Sequence, residues 1–114
     1  MACYGKAFDA TKAGTRELVA APGAGLAIKL LGFYAVGSAA DGTLKLQDGA
    51  GTPVALTGTI TLDISVNDRW ELPPHGGGSD GGHWGVCTAN KALNIVLSAN
   101  MDCDGAISYE IVRA

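Results

Sequence analysis

Between residues 59 and 67 the chain reads Thr-Ile-Thr-Leu-Asp-Ile-Ser-Val-Asn, with apolar and polar residues in strict alternation. Successive side chains of an extended strand point to opposite faces. A period of two therefore places Ile60, Leu62, Ile64 and Val66 on a core face and leaves the other face to solvent. A helix, with about 3.6 residues per turn, would scatter the same residues around its whole surface. The same period returns along most of the chain. Residues 106–112 alternate Ile107, Tyr109 and Ile111 with Ser108 and Glu110, and residues 92–98 set Leu93, Ile95 and Leu97 on one face. Leu44-Lys45-Leu46 is a short strand bracketed by the turn pairs Asp41-Gly42 and Asp48-Gly49. Residues 18–21, closed by the turn Pro22-Gly23-Ala24-Gly25, and residues 84–88 read as two more strands.

Residues 26–36 carry the heaviest apolar load. Leu26, Ile28, Leu30, Tyr34 and Val36 share one parity, while Leu31 and Phe33 take the other beside Lys29. Apolar residues on both faces point to a central strand, or to one covered by a neighbouring subunit. The Asp104-Gly105 pair reads as a tight turn, and the short segment before residues 106–112 suits a hairpin with residues 92–98. Only residues 8–18 could wind into a helix, and they hold Gly14 and two β-branched threonines. Residues 1–15 are accordingly expected as an extended arm or loosely held segment, and residues 16–114 as one β-sandwich domain. Seven or eight short strands at such spacing predict an all-β, antiparallel sandwich or barrel. Glycine, 17 of 114 residues, fits a chain of many turns.

Charge narrows the function classes. Charged residues make up 17% of the chain, against roughly 25% in an average soluble protein, and the net charge is −3. The eight basic residues are scattered singly, so the footprint of a nucleic-acid binder and a polybasic membrane anchor are both missing. No apolar run approaches the roughly 20 residues of a membrane helix. The opening residues form no secretory signal, and three widely spaced cysteines do not make a disulfide scaffold; production in a reducing cytoplasm is expected. Cys87, in an apolar run, reads as a small buried hydrophobe, and a Cys87–Cys103 bond is left open by the sequence.

The most conspicuous stretch is residues 72–84, Leu-Pro-Pro-His-Gly-Gly-Gly-Ser-Asp-Gly-Gly-His-Trp. His75, Asp80 and His83, with Cys87 as a fourth, carry donor types that zinc accepts. Seven residues separate the histidines, five of them glycine, and ordering them would cost much backbone entropy. A loop tip between strands is the preferred reading. The His-Gly-Gly-Gly run is not an esterase oxyanion loop, since no G-x-S-x-G elbow accompanies it. Asp102-Cys103-Asp104-Gly105 lacks the remainder of a calcium loop and reads as a turn. No P-loop, dinucleotide fingerprint or Cys-x-x-Cys pair occurs, so no cofactor is implied. Trp70 and Trp84 flank the glycine-rich stretch, where they pack at the edge of a core or stack on a sugar or a partner.

The order of features resembles the small β-sandwich virion proteins of tailed bacteriophages, the class that includes capsid decoration (cement) proteins and small tail components. The resemblance is carried by residues 18–23 leading into the long strand 26–36, by 42–49, by the polar loop ending at Trp84, and by 92–98 and 105–112. It implies a jelly-roll-like sandwich, typically a homotrimer, present in many copies on a capsid or tail. It implies a non-enzymatic role: made in the host cytoplasm, the protein would join the virion and bridge subunits of a major capsid protein. Tyr4, Phe8, His75 and Trp84 are the residues expected to contact a partner. A receptor- or carbohydrate-binding module of a phage tail, using Trp70, Trp84 and the 75–83 loop, is the alternative. A small metal-dependent enzyme is the third.

Overall fold

The structure, a computed structural model, describes residues 3–38, 41–62, 69–72 and 84–114. Among them there is no helix, and nine strands occur. These are β1 (Cys3–Ala10), β2 (Gly14–Val19), β3 (Leu26–Ser38), β4 (Gly42–Asp48), β5 (Ile60–Leu62), β6 (Arg69–Leu72), β7 (Gly85–Val86), β8 (Leu93–Leu97) and β9 (Asp102–Arg113). They form two sheets in which every pairing is antiparallel. The larger runs β1-β9-β3-β6, with β7 on the same edge of β3 as β6; the smaller runs β2-β8-β4-β5.

The order follows one rule. With the two-residue β7 set aside, the first strand pairs with the last, the second with the last but one, and so inward to β3·β6 and β4·β5. These are the rungs of one long antiparallel ribbon, wrapped so that successive rungs fall alternately in the two sheets. β3·β9 and β4·β8 then join the halves of each sheet. This is the jelly-roll topology, and the expected antiparallel sandwich is the observed fold.

One apolar cluster between the sheets holds them together. Ile28, Leu30, Phe33 and Ile107 from the larger sheet meet Leu44, Leu46, Leu93, Ile95 and Leu97 from the smaller. The alternation read in β4 and β8 is the burial pattern observed, with Leu44, Leu46, Leu93, Ile95 and Leu97 inward. At the end of β4 the carboxylate of Asp48 is fully buried and accepts from the amides of Ala50, Val54 and Thr88 and from the Thr88 hydroxyl. The turn after β4 and the segment after β7 are thus tied to one acceptor. Burial works against the charged form, but the Thr88 hydroxyl and the three amides outweigh it and hold the pKa of Asp48 below the usual carboxylate range.

β3 confirms a central strand but changes its parity. Its register with β9 shifts between Leu30 and Gly32, a bulge at Leu31. Before the bulge Ile28 and Leu30 face the core; after it Phe33 and Ala35 do, opposite Ile107 and Gly105. Tyr34 and Val36, expected on the face of Leu26, Ile28 and Leu30, are turned outward. One extra residue is enough, because a slip of one reverses every following side chain.

Three further expectations are corrected. The segment read over residues 1–15 as an extended arm or loosely held segment is, from Cys3 onward, extended but not loose: it holds β1 and the start of β2, with β1 paired to β9 from Cys3↔Glu110 to Ala10↔Cys103. Its inward residues are few but sufficient: Phe8 stacks on Phe33 with ring centroids 5.6 Å apart, and Ala10 is in the core. The hairpin between β8 and β9 does not form, since the two strands lie in different sheets. Asp104-Gly105 is not a turn but part of β9. There Gly105 answers a close approach, because a Cβ would collide with the Tyr34 carbonyl and lie 2.9 Å from the Phe8 ring. The strand read at 59–67 is described only as β5, where Leu62 is in the core and Ile60 packs against it; Ile64 and Val66 lie outside the described residues. Cys87 and Cys103 are both free and buried, so the bond left open by the sequence is not formed.

Candidate interaction surface

The outward face of the larger sheet is laid out by the registers of β1, β9 and β3. At one end Asp104 stands between Val36 and Asp9. The next row is Tyr34, Ala106, Ala7, and the next is Gly32, Ser108, Gly5. At the far end Glu110 is opposite Lys29, which is itself opposite Val86 of β7. Trp84, two residues before Val86, donates its amide to the Leu30 carbonyl at 2.8 Å and continues the line.

Tyr34, Val36, Trp84 and Val86 are each more than a third exposed. Among the described residues of β1 and β9, and of β3 at Gly32, the rows between the ends hold only small or hydroxyl-bearing residues, an area with apolar side chains along its β6–β7 side, where Arg69 stands opposite Val36. Glu71, opposite Tyr34 on β6, borders it there. Six residues along β9 and three strand spacings across make it roughly 20 Å by 15 Å. That is a sheet area of about 300 Å².

Both ends of this area are charged. Lys29 Nζ and Glu110 Oε1 are 3.4 Å apart, with the Glu110 side chain almost entirely buried. A buried pair of this kind adds little net stability, but breaking it is costly, so it holds the β3–β9 register in place. At the other end Asp9, Asp102 and Asp104 gather with carboxylate oxygens within 4.8 Å of one another. The hydrogen bond that protonated Asp9 donates to Asp104, and the charge of Asp104, raise the pKa of Asp9, with a smaller opposing effect from Asp102. Oxygen-only donors of this type suit hard divalent cations, and exposed acidic groups also cluster without one. The sequence reading missed this cluster, because its members meet only through the β1–β9 pairing.

The residues singled out from the sequence are divided by the structure. Trp84 belongs to the exposed face. Tyr4 is half exposed at the edge of β1 and stacks on Tyr109, with centroids 5.3 Å apart. Phe8 is instead half-buried against the core. Trp70 is a residue of β6, paired with Ala35. His75, Asp80 and His83 lie outside the described residues, and so does the remainder of the 75–83 loop. Cys87 is in the core, as its apolar run predicts; burial, and then the charge of Asp48, push its thiol up to about 12. Burial and then Asp104, Asp102 and Asp9 push Cys103 to about 11. Neither thiol is poised as a nucleophile or a ready metal ligand.

No protein-family model matches the chain, and no curated protein matches it.

Proposed function

We propose that the protein is a non-enzymatic structural component of a tailed-phage virion, a capsid decoration protein that binds as a homotrimer and bridges neighbouring capsid subunits. The observation that carries this reading is the group of exposed apolar side chains, Tyr34, Val36, Trp84 and Val86, on the outer face of the larger sheet of a jelly-roll sandwich. The fold supports it because jelly rolls are a common frame of viral capsid domains, although lectins and cupins use the same frame. The low charge supports it because charged residues are depleted at the centres of interfaces.

Magnitude then favours a multivalent role. A patch of about 300 Å² falls short of the roughly 800 Å² per partner of a stable pairwise interface. One copy alone would hold weakly, whereas three linked copies gain from effective concentration. The test is light scattering at micromolar concentration together with a heat challenge of capsids with and without the protein. A trimer that raises the temperature of capsid disruption supports the proposal; a monomer that leaves capsids unprotected sinks it.

A second reading, a carbohydrate- or receptor-binding tail module, is favoured by one observation, the exposure of the Trp84 ring beside Val86. It predicts glycan binding that is lost in Trp84→Ala. Silence on a glycan array, with unchanged phage adsorption for that variant, would count against it.

A further inference from the structure

Where the first strands of the two sheets meet, the sandwich is open. β1 is an edge of the larger sheet and β2 an edge of the smaller, and among the described residues neither has a second strand partner. Between them lies a groove of about 510 Å³, lined by residues 6–12 and 16–18.

The register decides which charges look into it. Lys6 is opposite Ile107 and Arg16 is opposite Ile95, both core residues, so these side chains leave their strands on the inward face. The acids of the same strands, Asp9 and Glu17, stand opposite Asp104 and Asn94 and leave on the outward faces. With Lys12 in the connection between β1 and β2, three of the eight basic residues line the groove, against two acids, Asp9 and Glu17, whose register turns their side chains to the outer faces. The Lys6 ammonium donates to the Leu18 carbonyl at 2.7 Å. That bond ties β1 to β2 at one point and leaves two donors of the ammonium for another acceptor. Beyond it, Gly14, Thr15, Arg16 and Glu17 are all exposed.

We infer that this groove takes an acidic segment of a partner protein, held in extended conformation beside the free edge of β2 with its carboxylates on Lys6, Lys12 and Arg16. An unpaired edge offers alternating N–H and C=O groups that match another extended backbone. The cations add charge-assisted bonds and select for acidic side chains. Three cations spread along two strands are too few for the basic stripe of a nucleic-acid site. This inference is independent of the assembly proposed above, which uses the outer face of the larger sheet.

The experiment is fluorescence anisotropy of the full chain with a labelled peptide of about eight residues, a typical strand length, alternating Glu and Val. Lys/Val and proline-interrupted peptides serve as controls. The Glu/Val peptide is expected to bind, weakening with added salt and by about tenfold or more in Arg16→Glu and in Lys12→Glu, roughly 1.4 kcal/mol per tenfold. Hydrogen exchange should slow at the amides of residues 14–17. Equal binding of the Lys/Val peptide, unchanged affinity in both variants, or equal binding of the proline-interrupted peptide would each overturn the inference. So would no binding at all, which would leave Lys6 and Arg16 as inward charges that only keep other edges away. Circular dichroism of the variants separates lost binding from lost fold.

Discussion

Gly105 sits where three pieces of chain converge: its own strand β9, the Tyr34 carbonyl of β3 and the Phe8 ring of β1. A methyl group there has nowhere to go, and forcing extra volume into a packed site costs about 1–3 kcal/mol. Gly105→Ala is therefore expected to lower stability by about 2 kcal/mol or more in urea unfolding. Asp48 is the converse case, a buried acceptor whose removal orphans four donors. Asp48→Ala should cost about 3 kcal/mol, since each unpaired buried group costs roughly 1–3 kcal/mol. Its pH dependence follows from the lowered pKa in the fold. The stabilising contribution is complete above the ordinary carboxylate value of 3.8 and is lost as pH falls below it toward the lower native value. The stability gap between the native chain and Asp48→Ala should accordingly narrow only in acid. Cys87 and Cys103, buried and raised to about 12 and 11, should resist alkylation until the protein unfolds, as site-resolved mass spectrometry would show. The sequence told the acids and glycines apart poorly at this scale. Asp48-Gly49 and Asp104-Gly105 carry the same turn signal, yet the first ends a strand and the second lies within one.

Among the elements, strands whose alternation is complete were legible and strands whose meaning depends on a partner were not. β4 and β8 bury the residues their period selects, because each has one face on the core and one on solvent. β3 reads as central from its double apolar load, but nothing local marks Leu31 as the bulge. Likewise β1 has a weak period of its own, and its assignment rests on Phe8 finding Phe33 and Gly105 across the sheet. The hairpin read between β8 and β9 failed because a short connection can also cross between sheets, as the ribbon topology requires. Deleting Leu31 tests the parity switch. Without the extra residue Phe33 and Ala35 would turn outward and Tyr34 and Val36 inward, so the variant is expected to lose its cooperative thermal transition. A deletion variant that unfolds as cooperatively as the native chain would contradict the parity switch.

At the scale of the whole molecule, a jelly roll gives two sheets with two outer faces and open edges, and this chain distributes its residues unevenly over them. The larger sheet carries a partly apolar outer face with the Lys29–Glu110 pair at one end and the Asp9, Asp102, Asp104 cluster at the other. The sequence pointed to this face when it set apolar residues on both sides of residues 26–36, but it put Tyr34 and Val36 on the wrong side. Under the proposed capsid role, charge placed in that face should harm assembly and spare the fold: Val86→Asp, opposite Lys29, is expected within about 0.5 kcal/mol of native stability, and Val36→Asp, opposite Asp104, to cost about 1 kcal/mol more and remain folded. The most direct measurement is the disruption temperature of capsids assembled without the protein and then supplied with native chain or with the double Val36→Asp, Val86→Asp variant. Native chain is expected to raise that temperature and the folded variant to leave it unchanged. Equal protection by both, or protection by neither, would contradict assembly through the outer face of the larger sheet.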